Sequence, residues 1–293
     1  MRYATFLAGG RRQVGIVSDD GLQVQPLALP PRDAERGVLT LVEMSARGEA
    51  LPTADGASLA VSSVQLDAPI PLPRRNIWCV GRNYHAHAKE LQTSVFKDNS
   101  TSVDSWPIVF TKVPECVVGP FDDVQLPTGI SEEIDYEAEL LIIIGKGGKN
   151  ISKVNALKHI WGYSVVNDVT ARDVQMRHQQ WDMGKSFDTF CPMGPWAITA
   201  DEFDGTQATV RCWVNEELRQ EGHASQLIFD LPTLIETISR GITLYPCDLI
   251  ATGTPAGVGM GMKPPRYLKP GDKVRIDIER LGTIENTMVA GGA

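Results

Sequence analysis

The stretch that decides the fold is EEIDYEAELLIIIG, residues 132–145. Its second half is an unbroken apolar run closed by Gly145, which is typical of a buried β-strand. Its first half is rich in carboxylates, and Glu137 and Glu139 lie two residues apart. Because strand side chains alternate between faces, we expect both charges to point the same way. A solvated face, a Lys or Arg partner, or a bound metal ion would each explain the pair.

The composition indicates an ordinary globular protein. The chain has 293 residues, 42% of them hydrophobic, which is enough for a large core. A net charge of −8 and a pI near 5.2 argue against a nucleic-acid or anionic-membrane surface. No apolar run reaches the roughly 18 residues of a membrane span, and the N-terminus does not resemble a signal peptide. We therefore expect a cytoplasmic protein with neither a nucleic-acid nor a membrane partner.

The cysteines indicate neither a disulfide framework nor a zinc cluster. They are odd in number, scattered, and free of Cys-x-x-Cys pairs. We expect most of them to be small buried apolar side chains. They are Cys79, Cys116, Cys191, Cys212 and Cys247.

The order of predicted elements favours a β-rich α+β fold. Residues 1–66 contain short strand-like segments and one helical pattern, and we expect them to form a small N-terminal α+β domain. A Pro-rich connector, residues 67–73, breaks regular structure. Beyond it, in the predicted larger domain 67–293, strands dominate and do not alternate strictly with the helical patterns at 171–181 and 230–240. A sheet built from βαβ units is therefore unlikely.

A second strand supplies a third carboxylate. The segment WGYSVVND is apolar and ends at Asp168. Three oxygen ligands without cysteine or histidine suit Mg²⁺ or Mn²⁺, with Ca²⁺ as a further possibility, rather than zinc. Such an ion would keep open positions for a bidentate substrate and would act as a Lewis acid.

Seven segments, in order, match one known family. They are VGRNYHAHAKE, FTK, IDYEAELLIIIGK, VVNDVTARDVQ, GKSFDTFCPMGPW, ATGTPAGVG and LKPGDKVRIDIERLGTIEN. Over roughly residues 69–290 the chain resembles the fumarylacetoacetate hydrolase superfamily, and its first 66 or so residues resemble the small N-terminal domain of many bacterial members. The resemblance implies a catalytic domain with a mixed β-sandwich or roll, and a homodimer.

The resemblance also implies a role for each of nine residues. Those implied to hold the metal are Glu137, Glu139 and Asp168; those implied to be catalytic are His87, Glu90 and Lys185; and those implied to contact substrate are Arg172, Gln175 and Thr254.

His87 and Glu90 are three residues apart, so on a helix they share one face. A carboxylate that holds a histidine in one tautomer makes it a stronger base, which suits activation of a water molecule. The alternative is an exposed helix on which His85, His87 and Lys89 are merely solvated.

The basic residues Lys185 and Arg172 each have a structural alternative. Lys185 lies in a Gly-marked segment that we predict to be a loop, and most loop lysines are solvated. Arg172 shares a predicted helix face with Gln175, and its planar fork suits a carboxylate of the substrate. Pairing of Arg172 with Asp168 or Asp173 would make it structural instead.

The segment TGTPAGVGMG, residues 252–261, is rich in glycine without being a phosphate-binding P-loop, because it lacks the lysine and a following helix. We expect a tight loop that offers backbone N–H groups and the Thr254 hydroxyl to an anion. Two nearby departures from the family pattern place Cys247 and Arg280 where glycine is common. A turn that needs positive φ would be strained at Cys247.

Together these features predict metal-assisted chemistry on a small 2-oxo or diketo acid. We expect a hydrolase that splits a C–C bond of an acylpyruvate into pyruvate and a carboxylic acid, because the dyad could activate water. The alternative is decarboxylation of an oxaloacetate-like acid or keto–enol tautomerisation through the same enolate. The polar segment 91–107 is either a lid over this site or a surface excursion.

Overall fold

The computed structural model describes residues 1–92, 105–177 and 179–291. Within these ranges the fold is strand-rich α+β, as predicted. The strands are β1 (Arg2–Ala8), β2 (Arg11–Val17), β3 (Gln23–Pro26), β4 (Leu59–Ala60), β5 (Gln65–Asp67), β6 (Ile77–Gly81), β7 (Ile108–Lys112), β8 (Val117–Val118), β9 (Val124–Leu126), β10 (Ile134–Asp135), β11 (Ala138–Ile144), β12 (Ile160–Asn167), β13 (Thr170–Ala171), β14 (Cys191–Thr199), β15 (Thr209–Val214), β16 (Glu217–His223), β17 (Leu249–Ala251), β18 (Lys273–Ile278) and β19 (Gly282–Ala290). The α-helices are α1 (Pro31–Ala34), α2 (Leu39–Ala46), α3 (His85–Gln92), α4 (Arg172–Arg177), α5 (Asp182–Lys185) and α6 (Leu231–Ser239).

The strands form three sheets. The largest has the order β4-β3-β2-β1-β14-β12-β11-β17-β6-β7, with β5 added to β1 and β8 to β14. A second sheet has the order β16-β15-β18-β19-β9 and packs against β11, β12 and β14 of the first. The third is the short pair β10-β13. The two large sheets therefore form the expected sandwich.

Strand β11 is buried on both faces, which explains its unbroken apolar run. Leu140 and Ile142 pack in the core between the two large sheets, together with Ile276 from the second sheet. Leu141 and Ile143 point the other way, into a core that also contains residues of α2. The carboxylates next to β11 are thus held by a strand that cannot shift without opening both cores.

The stretch 134–144 is two strands, and the prediction of a single strand was wrong in this detail. β10 ends at Asp135 and pairs with β13, whereas β11 begins at Ala138 and pairs with β12. Glu137 lies at the change of partner, where its carbonyl accepts a hydrogen bond of 2.9 Å from the backbone N–H of Asp168.

The N-terminal strands continue the large sheet. β1 pairs antiparallel with β14, with Arg2 opposite Ile198 and Tyr3 opposite Ala197. Side chains of residues 1–66 and of the following region share one core. The division between residues 66 and 67 stays a prediction.

Two expectations about individual residues are confirmed. Cys247 has φ of +71°, in the left-handed region where glycine would be unstrained, and the structure places Arg280 there as well, with φ of +68°. All five cysteines are buried and unpaired. Among the described residues, no helix has the length and apolar character needed to cross a membrane.

Candidate active site

Glu137, Glu139 and Asp168 converge, as the sequence predicts. Antiparallel β11 and β12 place Ala138 opposite Asn167, so the residues flanking this pair come together at one end of the sheet. One carboxylate oxygen from each of the three acids lies within 4.8 Å of the others. All three side chains are buried.

The donor set fits a divalent cation. Glu139 accepts a 2.7 Å hydrogen bond from the Gly253 N–H, and no lysine or arginine of the described ranges forms an ion pair with it. Burial and the carboxylates of Asp168 and Glu137 raise the pKa of Glu139. Three buried oxygen ligands, of which Glu139 has no basic partner within the described ranges, suit a hard divalent ion, so the triad could bind one.

Lys185 reaches two of the three acids. Its Nζ lies 2.7 Å from Glu137 Oε2 and 2.7 Å from Asp168 Oδ2, and the side chain is 1% exposed. Although burial raises the pKa of Glu137, Lys185 and Arg172 lower it to about 2. The prediction that Lys185 lies in a loop was wrong, because it ends the short helix α5.

Helix α5 can approach α4 because residue 184 is glycine. A Cβ at Gly184 would lie 2.5 Å from the backbone nitrogen of Gln175, closer than folded proteins allow. This contact brings Lys185 to Asp168, which follows β12, and to Glu137, which precedes β11.

Lys112, at the end of β7, is a part of the site that the sequence interpretation missed. Its Nζ donates to Asp168 Oδ1 at 2.8 Å, to the Val169 carbonyl at 3.1 Å, and to the carbonyl of Lys185. Although burial lowers the pKa of Lys112, Asp168 raises it overall. The available signal was the lysine that closes the apolar strand IVFTK, since a lysine there must be paired if it is buried.

Arg172 and Gln175 lie side by side at the start of α4. Arg172 Nε donates to Asp135 Oδ2 at 2.9 Å, and another guanidinium nitrogen lies 2.7 Å from Glu137 Oε1. Its third nitrogen donates to Gln175 Oε1 at 3.1 Å. Arg172 therefore pairs with acids other than the two that the sequence interpretation considered, and Asp135 had not been singled out.

The pair His87 and Glu90 lies on α3, as predicted. His87 Nδ1 is 3.3 Å from Glu90 Oε2, and the backbone N–H of Gly257 donates to both Glu90 oxygens at 3.2 Å. His87 is 2% exposed, whereas His85 and Lys89 are exposed. The interpretation of this segment as an evenly solvated helix is therefore excluded.

The glycine-rich loop binds carboxylates of the protein itself. The backbone N–H groups of Gly253 and Gly257 hold Glu139 and Glu90 respectively. Thr254 Oγ1 donates to the Ala138 carbonyl at 3.0 Å and accepts from Gln220 Nε2 at 2.7 Å. The loop thus joins the metal triad to the dyad.

Six of the nine predicted residues line one pocket, with Glu139 and Asp168 buried close to it. Glu90 contacts His87 from the adjoining turn of α3. Within the 91–107 segment, residues 93–104 lie outside the described ranges, so the lid prediction stays untested. The lining residues are Val80, Gly81, Arg82, His87, Phe110, Glu137, Arg172, Gln175, Trp181, Lys185, Thr254 and Met260.

Residues 76–289 match the family model described as fumarylacetoacetate (FAA) hydrolase C-terminal. The chain belongs to the fumarylacetoacetate hydrolase family. This assignment confirms the resemblance seen in the sequence segments, and the matched range contains every residue of the pocket.

Relatives and solved structures agree over nearly the whole chain. Oxaloacetate tautomerase YisK of Bacillus subtilis is 41% identical over 98% of this chain and 99% of that protein. Human mitochondrial oxaloacetate tautomerase FAHD2A is 42% identical over 85% of this chain and 80% of that protein. A solved fumarylacetoacetate hydrolase from Exiguobacterium antarcticum, 40% identical, superposes with a TM-score of 0.85 and covers 99% of both chains.

The two relatives named as oxaloacetate tautomerases contradict the expected C–C hydrolysis of an acylpyruvate. Family members named for tautomerisation match this chain over most of its length, and they favour the alternative. The error came from assigning the histidine–glutamate dyad to water activation alone. A base held by a carboxylate can equally remove a proton from carbon, so the dyad does not distinguish the two reactions.

Proposed function

We propose that this enzyme is a divalent-metal-dependent oxaloacetate tautomerase. The observation that carries the proposal is the buried acid triad next to a histidine–glutamate dyad, in a chain that matches a tautomerase over nearly its full length. Interconversion of keto and enol oxaloacetate requires an electrophile at the C2 oxygen and a group that moves a proton at C3. The pocket offers both.

Glu137, Glu139 and Asp168 would hold Mg²⁺ or Mn²⁺, since carboxylates accept either ion. When bound, such an ion supplies Lewis-acid chemistry that withdraws electron density from a 2-oxo group and makes the adjacent carbon more acidic.

Lys185 and Arg172 provide the fixed positive charge of the pocket. Lys185 Nζ lies between Glu137 and Asp168, so it would stabilise negative charge that develops on the C2 oxygen. Arg172 and Gln175 would orient a carboxylate of the substrate, because their polar groups lie together on the pocket wall. Both cations are buried, so their positions do not depend on solvent.

The dyad would carry the proton. His87 lines the pocket, and Glu90 holds its Nδ1 side. The ring would take the C3 proton to give the enolate, and a proton delivered to the C2 oxygen would complete the enol. In the reverse direction the enol O–H proton leaves and the protonated ring returns a proton to C3, which gives the keto acid. No water molecule has to attack the substrate, and no C–C bond is broken.

The activity is tested by following the ultraviolet absorbance of enol oxaloacetate after the protein has been stripped of metal and reloaded with Mg²⁺ or Mn²⁺. We expect decay to the keto form that is faster than the spontaneous reaction and depends on the ion. Release of carbon dioxide from oxaloacetate without faster ketonisation would contradict the proposal.

Replacement of the dyad histidine gives a specific check. We expect His87→Ala to lower the tautomerisation rate by about 10²- to 10⁴-fold, the usual contribution of a general base. Its affinity for the metal should stay unchanged, because His87 is not in the triad. His85→Ala, which alters the exposed histidine of the same helix, is the matched control and should keep the full rate. Equal loss in both variants would exclude the proposed role.

A further inference from the structure

Asp135 is the most completely hydrogen-bonded acid of the site, although it does not line the pocket. The side chain is fully buried, with 0% exposure. Its Oδ1 accepts from the backbone N–H groups of Gly259 at 2.7 Å and Tyr136 at 3.0 Å. Its Oδ2 accepts from Arg172 Nε at 2.9 Å and from the Met260 N–H at 3.0 Å. Four donors thus fix one carboxylate.

One side of this carboxylate sets the direction of Arg172. Because Nε is held by Asp135, the guanidinium plane is turned so that its other nitrogens meet Glu137 and Gln175. A planar guanidinium group that is bound along one edge keeps a single orientation. Without this bond, Arg172 would keep its charge, but its guanidinium group would no longer be held in one orientation.

Both oxygens of the carboxylate also hold the turn 257–261, Oδ1 through the Gly259 N–H and Oδ2 through the Met260 N–H. Gly257 donates to Glu90, Met260 lines the pocket, and a Cβ at Gly261 would meet the Glu90 carboxyl group at 2.2 Å. A Cβ at Gly259 would lie 2.9 Å from Asp135 Oδ1 and 2.3 Å from the Arg266 carbonyl. The turn is therefore packed between Asp135 and Glu90.

We propose that Asp135 is a positioning residue that joins the substrate-orienting Arg172 and the turn supporting the dyad into one rigid unit. It acts through these two partners and does not touch the reacting atoms. The inference rests on the proposed function for its kinetic readout and on geometry for its structural one.

The test compares Asp135→Asn with Asp248→Asn. Asp248 is a matched control because it is also buried and bound to an arginine, with Arg75 Nε 2.8 Å from Oδ1, and does not line the pocket. In Asp135→Asn the amide places N–H groups against donors, so at least one of the four bonds is lost.

We expect Asp135→Asn to raise KM for oxaloacetate about tenfold through Arg172 and to lower kcat about tenfold through the turn. The dissociation constant of oxalate, a planar mimic of the enolate, should rise by a similar factor in calorimetry of the Mg²⁺-loaded protein. Asp248→Asn should leave all three values unchanged, even if its Tm falls as much as that of Asp135→Asn. Unchanged kcat, KM and oxalate affinity in Asp135→Asn would overturn the proposal.

Failure of the proposed function would be recognised separately, as absence of tautomerisation by the unaltered enzyme. In that case a crystal structure of Asp135→Asn tests the positioning role without a kinetic measurement. A rotated Arg172 or a displaced turn 257–261 supports the positioning role, and unchanged positions of both contradict it.

Discussion

At the scale of single residues, Lys112 shows how strongly the site depends on buried charges. Its ammonium group has three N–H donors and three acceptors. We expect Lys112→Met to lower the free energy of unfolding of the metal-free protein by about 3–5 kcal/mol, because Asp168 loses a cation with which it is buried. Saturating Mg²⁺ should recover part of this loss, since the ion compensates the same carboxylate.

Chemical denaturation of the unaltered protein and of Lys112→Met, each with and without Mg²⁺, measures the change in the free energy of unfolding. Lys153→Met is the control: its ion pair with Asp230 is about half exposed, so the change should stay below about 1 kcal/mol. An equally small change in Lys112→Met would show that the buried amine is not an important partner of Asp168.

A substitution at Gly261 should lower activity without lowering stability. An added Cβ would collide with the end of the Glu90 side chain, which can move away at little cost. We therefore expect Gly261→Ala to leave Tm nearly unchanged and to lower kcat at least tenfold, because Glu90 no longer holds His87. Gly129→Ala, where the Cβ meets open space but φ is +78°, should lower Tm and keep full activity. Full activity in Gly261→Ala would contradict the role of Glu90.

At the scale of secondary-structure elements, the end of β6 and the start of α5 are in direct contact. A Cβ at Gly81 would lie 2.3 Å from the Trp181 ring, which also packs 5.2 Å from the ring of Phe110. We expect Gly81→Ala to destabilise the protein by about 1–3 kcal/mol, because a rigid ring in a packed site cannot simply rotate away. Activity should fall as well, since α5 carries Lys185.

A second substitution tests the mechanism of this effect. In the double variant Gly81→Ala with Trp181→Leu, the colliding ring is gone, so part of the lost stability should return. Additive losses in the thermal unfolding of the two single variants and the double variant would show that the two residues do not interact.

At the scale of the whole molecule, the N-terminal strands and the catalytic region form one sheet. Tyr3, Val38 and Leu41 share a core with Leu141 and Ile143 of β11. We expect a single thermal unfolding transition for the intact chain, and aggregation of a fragment 67–293 in which the edge of β14 is uncovered. A soluble fragment with the Tm of the intact chain would contradict this and would support an independent domain at 67–293.

Two further properties of the whole protein remain predictions. The homodimer expected from the sequence resemblance is checked by light scattering, and the cytoplasmic location by fractionation. Some relatives are named as mitochondrial proteins, so location varies within the family.

Local sequence determined much of this protein. The apolar run 140–144 predicted β11, because an apolar stretch without alternation is typical of a strand buried on both faces. The spacing of Glu137 and Glu139 predicted that both carboxylates share one face, and the spacing of His87 and Glu90 placed both on one helix face.

Other features were decided only by the tertiary structure. The break between β10 and β11 follows from a change of partner strand, which the local sequence pattern does not report. Lys112 and Asp135 bind groups distant in sequence, such as Asp168 and Gly259, so their roles depend on contacts that no local pattern encodes. The choice between water activation and proton transfer was also open in the sequence, because the same dyad serves both. Periodicity and spacing report short-range geometry, whereas buried ion pairs form only when distant segments meet.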